Sequence, residues 1–360
     1  MTEPNTTLKA DQAGMSAHYQ AQVWRKSLLL LVLIILSMAA TLADLVIGSG
    51  TLSWDQVVTG LLHPSDVPPE VKVVLWDIRM PVTLTAVLSG MGLALSGSLM
   101  QTVLDNPLAE PFTLGISAAS GFGAALAIVF QTSLLSWLPL SGDYVITGNA
   151  FVFSLATVLL IGLFASRRGL AVEMIVLLGI AVHFIFSALL GMAQYLADTD
   201  QLQSLVFWMM GSLMKTSWTK VSINLVIVGV IMPLLLLLSW QISTLRGFGT
   251  QAVVLGVPVK RLRMALLLMS ALMAGSITAT IGVVGFIGLV APHVARLLVG
   301  EDQRFALGVT AACGALVMTL ASIISKTLFP GVVLPIGMVT SLLGVPFFLW
   351  LVFGQRARRA

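Results

Sequence analysis

Apolar stretches of about 20 residues alternate with short polar segments along most of the chain, and each is long enough to cross a membrane as one helix. The predicted spans are residues 28–47, 80–103, 112–131, 145–165, 170–196, 221–243, 262–282, 283–299, 305–325 and 332–353. A flexible polar tail is expected at residues 1–27, and a basic tail at 355–360. The pattern therefore predicts an all-α polytopic membrane protein with about ten transmembrane helices in one domain, residues 28–354.

Composition supports a membrane protein and excludes several other classes. The 360 residues are 58% hydrophobic and 9% charged, whereas charged residues make up about a quarter of a soluble domain. The net charge of +4 comes from basic residues scattered through short loops, so no nucleic-acid partner is expected. A single cysteine, Cys313, excludes an intrachain disulfide and a metal site built from cysteines.

The distribution of basic residues predicts how the chain lies in the membrane. With ten spans both termini are on one side, and 14 of the 19 lysines and arginines share that side with them. The other side has Lys72, Arg79, Lys215, Lys220 and Lys326. Because basic loops stay in the cytoplasm, both termini and the largest inner loop, residues 246–263, are predicted to be cytoplasmic.

Two groups of small residues predict places where helices pack closely. Ala86, Gly90, Ala94 and Ser98 recur at every fourth position and form one stripe on the second span. A second stripe, Ala271, Gly275 and Ala279, occurs on the seventh span. The second span is followed by the Asn106-Pro107 pair, which predicts an ordered turn at the membrane edge, suitable as a gate or a joint.

Several kinds of chemistry are missing from the sequence. It has no phosphate-binding Gly-x-x-x-x-Gly-Lys-Ser/Thr string and no His-Glu-x-x-His metal helix, so we expect no ATP hydrolysis, no resident cofactor and no metal site in this chain. The acidic residues lie outside the spans or near their ends, with Asp44 and Glu173 the deepest. An ion-coupled secondary transporter usually needs a carboxylate near the midplane, so it is the weaker alternative. A membrane scaffold without a transport role is the third hypothesis.

Three ordered motifs carry a resemblance that covers residues 28–354. They are IRMP at 78–81 with GMGLALSGSLMQTVLDNPLAEPFTLGIS at 90–117, VVGFIGLVAPHVARLLVG at 283–300, and LPIGMVTSLLGVPFFLWLV at 334–352. They resemble the FecCD-type permeases, the membrane subunits of ABC importers for iron-siderophores, haem and cobalamin.

The resemblance implies a fold, partners and a location. It implies the BtuC-like type II ABC importer fold in a bacterial inner membrane, most simply as a homodimer. Two cytoplasmic ATPase subunits would bind ATP and Mg, and an extracytoplasmic binding protein would deliver the cargo.

The resemblance also implies docking residues for the binding protein. Arg79 and Lys326 match basic positions at the outer ends of two spans, where the family grips glutamates of the binding protein. The alternative for Arg79 is a side chain that reaches towards lipid headgroups.

The predicted cytoplasmic gate has two parts. Asn106 and Leu108 match residues that close the inner end of the pathway in related permeases, and Val172 and Glu173 match a second constriction. The alternative is a helix-stop turn plus a surface acid, with Glu173 paired to Arg167 or Arg168.

The inner loop matches the segment that inserts into the ATPase subunit. A short helix is expected at 250–255, ended by Gly256 and Pro258, and the implied coupling residues are Gln251, Ala252, Leu255, Gly256 and Val257. The alternative is a basic loop that reflects topology alone.

His183 lies well inside the fifth predicted span, on a helix that lines the pathway in the family. It is a candidate for substrate contact. A structural histidine bonded to a backbone carbonyl is the favoured alternative, since no second His or Tyr lies one helical turn away.

Overall fold

A computed structural model describes residues 4–48, 52–139, 141–168 and 172–357, which form helices and loops without a β-sheet. The helices are α1 (Pro4–Val46), α2 (Trp54–Leu62), α3 (Pro69–Lys72), α4 (Met80–Val103), α5 (Ile116–Ile128), α6 (Asp143–Arg168), α7 (Val172–Leu196), α8 (Thr199–Met210), α9 (Trp218–Leu237), α10 (Ser239–Phe248), α11 (Val259–Ile281), α12 (Ile287–Val299), α13 (Gln303–Thr327) and α14 (Ile336–Ala357). A π-helical segment, Val73–Arg79, leads into α4, and 3₁₀ turns occupy Pro111–Leu114 and Gly249–Leu255.

The ten predicted spans all coincide with apolar helices. In the described residues, seven helices are long and apolar enough to cross a membrane. Two shorter apolar helices, α5 and α12, and the helix α14 match the remaining segments. The all-α membrane architecture is therefore confirmed. Helices α5 and α12 have only 13 residues each, because part of each predicted apolar segment is not α-helical.

Two boundaries differ from the sequence prediction. Helix α1 extends back to Pro4, so the described part of the expected flexible tail is helical. Alanine, glutamine and lysine in that segment favour a helix even without an apolar face. The predicted sixth span, 221–243, is divided, because α9 ends at Leu237 and α10 begins at Ser239.

Helices α4, α11 and α13 form the buried centre of the bundle. The predicted small stripe on α4 packs backbone against backbone: a Cβ atom at Gly90 would overlap the carbonyl oxygen of Gly314 in α13. A Cβ atom at Gly97 would likewise overlap the carbonyl of Gly288 in α12. On α11, Gly275 packs against Ser154 of α6. Both stripes of small residues are therefore confirmed as close-packing surfaces.

Ion pairs fix the two ends of the bundle. Helix α13 has 25 residues and is therefore about 37 Å long. At its start Asp302 pairs with Lys26, and near its end Lys326 pairs with Asp44. Helices α1 and α13 thus run parallel. We call the end near Asp302 the Arg246 end, because the Arg246 side chain pairs there with Glu301, and the opposite one the Lys326 end.

Two irregular segments lead from one helix to the next inside the bundle. Residues 104–115 run from the end of α4 to the start of α5, and a Cβ atom at Gly115 would lie 2.9 Å from the backbone nitrogen of His183, halfway along α7. Residues 282–286 join α11 to α12 and end at Phe286, which has a φ of 70°. Irregular backbone at this depth is tolerated where it is buried in protein or lines a cavity.

Candidate functional site

The predicted gate turn after α4 is tightly ordered. The Asn106 side-chain oxygen accepts the N–H of Leu108 at 2.9 Å, and the Asn106 carbonyl accepts the N–H of Ala109 at 3.1 Å. The Asn106 N–H in turn donates to the carbonyl of Gln101, in the last turn of α4, at 3.1 Å. Such bonds from an asparagine to its own turn favour this conformation. They leave Leu108 46% exposed, so its apolar side chain projects from the surface of the chain.

The first half of the predicted gate faces helix α7. Asn106, Leu108, Val176, Ile180 and His183 are among the residues that line a shared cavity of about 340 Å³. The first half of the predicted gate therefore lies beside α7, and its role as a gate stays a prediction.

The second half of the predicted gate, Val172 and Glu173, is at the start of α7, below this cavity, and does not line it. Val172 packs against the main hydrophobic core, whereas Glu173 is exposed. The alternative partners of Glu173, the side chains of Arg167 and Arg168, lie outside the described residues. The gate role of Val172 and Glu173 stays a prediction.

His183 is partly buried, and its environment is mostly apolar. Its Nε2 lies 3.4 Å from the hydroxyl of Ser187, and its Nδ1 is buried without a hydrogen-bond partner. The contact expected for a structural histidine was with a backbone carbonyl, and the structure shows a serine one helical turn away instead. Within the described part of the chain, no three His, Cys, Asp or Glu side chains come close enough together to hold a metal ion.

The predicted coupling segment forms a short 3₁₀ helix, Gly249–Leu255, directly after α10. Gly256, with a φ of 82°, ends it as predicted, because a residue in the left-handed region is usually a glycine. Ala252 and Val257 are buried in the core, so they position the segment. Gln251, Leu255 and Gly256 are exposed. Val254 is 87% exposed, which makes it the most prominent apolar side chain of the segment.

A network that sequence reasoning missed joins α10 to α4. It consists of Arg246, Glu301, Arg296 and Gln101, and we call it the arginine network. Arg246 Nε pairs with Glu301 Oε2, and Arg296 Nε lies 4.0 Å from Glu301 Oε1. Arg296 Nη1 donates to Gln101 Oε1 at 2.6 Å, and Gln101 Nε2 donates to the carbonyl of Gly288 at 3.2 Å.

The arginine network borders open space. All four of its residues line a cavity of about 670 Å³, together with Asn106 and Leu108 of the gate turn. The cavity therefore adjoins both the network and the gate. Gln101 has the one side-chain amide in α4, and this was the available sequence signal.

A second contact missed by sequence reasoning holds the junction before α12. One oxygen of Glu110 accepts the N–H of Phe286 at 3.1 Å. Burial of this loop carboxyl raises its pKa to about 7. Phe286 is a bulky residue in the left-handed region, an arrangement that costs energy and needs support from its surroundings. Glu110 provides part of that support.

The structure places both predicted docking residues inside the Lys326 end of the chain. Arg79 is 5% exposed, and its Nη1 donates to the carbonyls of Leu45 and Val46 at the end of α1. Lys326 Nζ lies 2.8 Å from Asp44 Oδ1, which is fully buried. Both cations thus have partners within this chain, and their contact with a binding protein stays a prediction.

A larger cavity, of about 680 Å³, opens among helices at the Lys326 end. Its charged lining residues are Lys215, Lys220, Lys326 and Asp143, and several hydroxyl groups accompany them. Because Asp44 pairs with Lys326, Lys215 and Lys220 against Asp143 leave this cavity with a small excess of positive charge.

Comparison with known proteins decides the family. The FecCD transport family matches residues 29–354, nearly the whole chain. The chain belongs to this family. The hemin transport system permease protein HmuU of Yersinia pestis is 38% identical over 290 residues, which cover 79% of this chain and 85% of that protein. The molybdate import system permease protein MolB of Haemophilus influenzae is 34% identical, over 80% and 83% of the two chains.

A solved structure agrees with the FecCD assignment. A metal-chelate type ABC transporter in an inward-facing conformation matches with a TM-score of 0.79 and 31% identity, over 90% of this chain and 98% of that chain. The resemblance stated from the sequence motifs is therefore confirmed, and this FecCD protein is a permease subunit of an ABC importer.

Proposed function

We propose that two copies of this FecCD permease enclose a pathway that carries a ligand of the iron-siderophore, haem or cobalamin type into the cytoplasm. A binding protein delivers the ligand outside, and two ATPase subunits bind ATP and Mg inside. The family match over residues 29–354 carries this proposal. The names of the relatives HmuU, a hemin permease, and BtuC, a vitamin B12 permease, support haem and cobalamin as candidates, whereas MolB is named for molybdate.

The orientation follows from the charges at each end. The Arg246 end contains Arg246, Arg296 and the Lys26–Asp302 pair, and most basic loops share this side. The positive-inside rule therefore places the Arg246 end in the cytoplasm and the Lys326 end outside. The coupling segment then faces the ATPase subunits, and the positively charged cavity faces the binding protein.

The exposed part of the coupling segment is suited to docking. Val253, Val254 and Leu255 form an exposed apolar run beside the buried Ala252. A short helical segment that presents apolar anchors fits a groove on a partner. We propose that this run, with Gln251 and Gly256, contacts the ATPase subunit, while Ala252 and Val257 hold it in place.

The gate turn closes the inner end of the pathway in this proposal. Leu108 projects from the turn towards the cavity that it shares with α7. In the proposed dimer, the two Leu108 side chains would lie opposite each other across the two-fold axis. Two apolar side chains that meet there would block a hydrated cargo until the helices move apart.

The test is uptake by proteoliposomes that contain this chain, its ATPase subunit and the candidate binding protein. A panel of radiolabelled ferric siderophores, haem and cobalamin identifies the cargo. We expect ATP-dependent uptake of one ligand, and no uptake when the binding protein is omitted. Uptake driven by a proton or sodium gradient without the ATPase would refute the proposal and favour an ion-coupled transporter.

A further inference from the structure

The arginine network connects the coupling segment with the gate turn. Arg246 lies three residues before the coupling segment, and Gln101 holds the gate turn through the bond from Asn106 N–H to its carbonyl. Glu301 and Arg296 bridge the two through the contacts described above. A continuous series of polar contacts thus runs from the proposed ATPase contact to the proposed gate.

Three side chains of the arginine network are largely buried, so the network is sensitive to the loss of any one partner. The side chain of Gln101 is buried, and those of Arg246 and Arg296 are only 15% and 11% exposed. Removing one partner from a buried set of charges leaves another without compensation. Glu301 is different, because its side chain is 60% exposed at the loop between α12 and α13 and has room to turn.

Glu301 contacts its two arginines unequally. One carboxylate oxygen is in close contact with Arg246, whereas the other is 4.0 Å from Arg296. Arg296 also has a buried Nη2 without a hydrogen-bond partner. If α10 moves away with the coupling segment, Glu301 loses Arg246 and can pair with Arg296 more closely. That exchange draws Arg296 away from Gln101.

The adjoining cavity of about 670 Å³ provides the space for such an exchange. We propose that the arginine network transmits movement of the coupling segment to the gate turn, with Glu301 exchanging its close partner between Arg246 and Arg296. The proposal rests on the proposed function, since it requires an ATPase subunit at residues 249–255. Arg296 and Gln101 are positioning residues in this scheme and need not touch the cargo.

The experiment measures ATP hydrolysis and gate position in the reconstituted dimer with its ATPase subunits. Spin labels on Leu108→Cys, in a Cys313→Ala background, report the distance between the two gates by pulsed EPR, with and without ATP, Mg and vanadate. In Arg296→Gln we expect the ATP-driven shift in gate population to fall by at least about five-fold. The rate of ATP hydrolysis in Arg296→Gln should stay within about two-fold of the parent rate.

Arg304→Gln is the matched control. Arg304 lies at the same end, and its exposed side chain pairs only locally with Asp302 in the structure, apart from a 3.5 Å contact with Tyr19. We expect it to retain both hydrolysis and the gate shift.

A second variant acts without removing a charge partner. Gln101→Glu gives up the bond from Nε2 to the Gly288 carbonyl, but its charge should pair with Arg296 more strongly than glutamine does. We expect it to keep Arg296 on α4 and to reduce the ATP-driven gate shift while ATP hydrolysis continues. If the Arg296→Gln protein does not assemble with its ATPase subunits, the Gln101→Glu protein alone tests the proposal.

The outcomes separate the two proposals. A gate shift that keeps the parent magnitude in both variants would refute the proposed role of the arginine network. A parent complex that shows no ATP-driven gate shift at all would instead refute the gate assigned under the proposed function, on which the network depends.

Discussion

The buried pair between Asp44 and Lys326 offers the most direct test of the structure. Lys326 Nζ lies 2.8 Å from Asp44 Oδ1, and Thr83 donates to the other carboxylate oxygen at 2.5 Å. The side chain of Asp44 is 0% exposed and that of Lys326 is 8% exposed. Lys326→Met removes one cation partner of a fully buried carboxylate, and Arg79 remains as a nearby positive charge. We expect a loss of about 3–5 kcal/mol in the free energy of unfolding, the usual cost of breaking such a pair.

The double variant Asp44→Asn, Lys326→Met separates charge pairing from simple loss of contacts. It removes both charges, so it should lie within roughly 1–2 kcal/mol of the parent, far less than the sum of the two single changes. Unfolding in mixed detergent micelles, followed by circular dichroism, measures the free energies. Lys72→Met is the control, because Lys72 is exposed at the same end and its loss should change stability by no more than about 0.5 kcal/mol.

If the two single changes had additive effects on the free energy of unfolding, the pairing of Asp44 with Lys326 would be refuted. The same variants test the predicted docking role of Lys326. If Lys326 serves docking, the double variant loses affinity for the binding protein although its stability is retained. If Lys326 serves only the fold, the double variant keeps that affinity.

Three further predictions concern other parts of the chain. Gly90→Ala should cost about 1–3 kcal/mol in unfolding free energy because its Cβ meets Gly314, whereas Gly229→Ala, which meets nothing, should cost nothing. Since burial raises the pKa of Glu110 from 4.5 to about 7, folding favours its protonated form. Unfolding free energy should therefore fall by roughly 3 kcal/mol as pH rises from about 4.5 to 7, and Glu110→Gln should abolish this contribution. Val254→Asp should lower ATPase co-purification at least ten-fold without altering thermal stability.

Each of these predictions has a result that would contradict it. A Gly90→Ala protein as stable as the parent would mean that α4 and α13 are not in backbone contact. An unchanged pH dependence in Glu110→Gln would exclude this carboxyl as its source. Normal ATPase binding by the Val254→Asp protein would show that the 3₁₀ segment is not part of the ATPase interface.

Much of the fold could be predicted from the sequence because it depends on local patterns. Spans of about 20 apolar residues follow from the thickness of the membrane. The stripe that contains Gly90 follows from helical periodicity, and Gly256 marks a helix end through its backbone preference. The gate turn follows from Asn106-Pro107. Each of these signals lies within a few residues of the feature it predicts.

The candidate site was only partly predictable, because its polar contacts join distant residues. Lys326 and Asp44 are separated by 282 positions, and Arg296 and Gln101 by 195. The sequence shows Arg79 and Lys326 as basic residues at span ends, where a lysine or arginine can turn outward or inward. Neighbouring helices decide the direction, and here both turn inward.

The sequence by itself determined that this is a helical membrane permease, since hydrophobic length, spacing and motifs are one-dimensional properties. Only the tertiary structure decided which charges neutralise each other, which helices are short, and how the coupling segment connects to the gate turn. Those features depend on which helices become neighbours, and packing against small residues such as Gly90, Gly97 and Gly275 selects those neighbours.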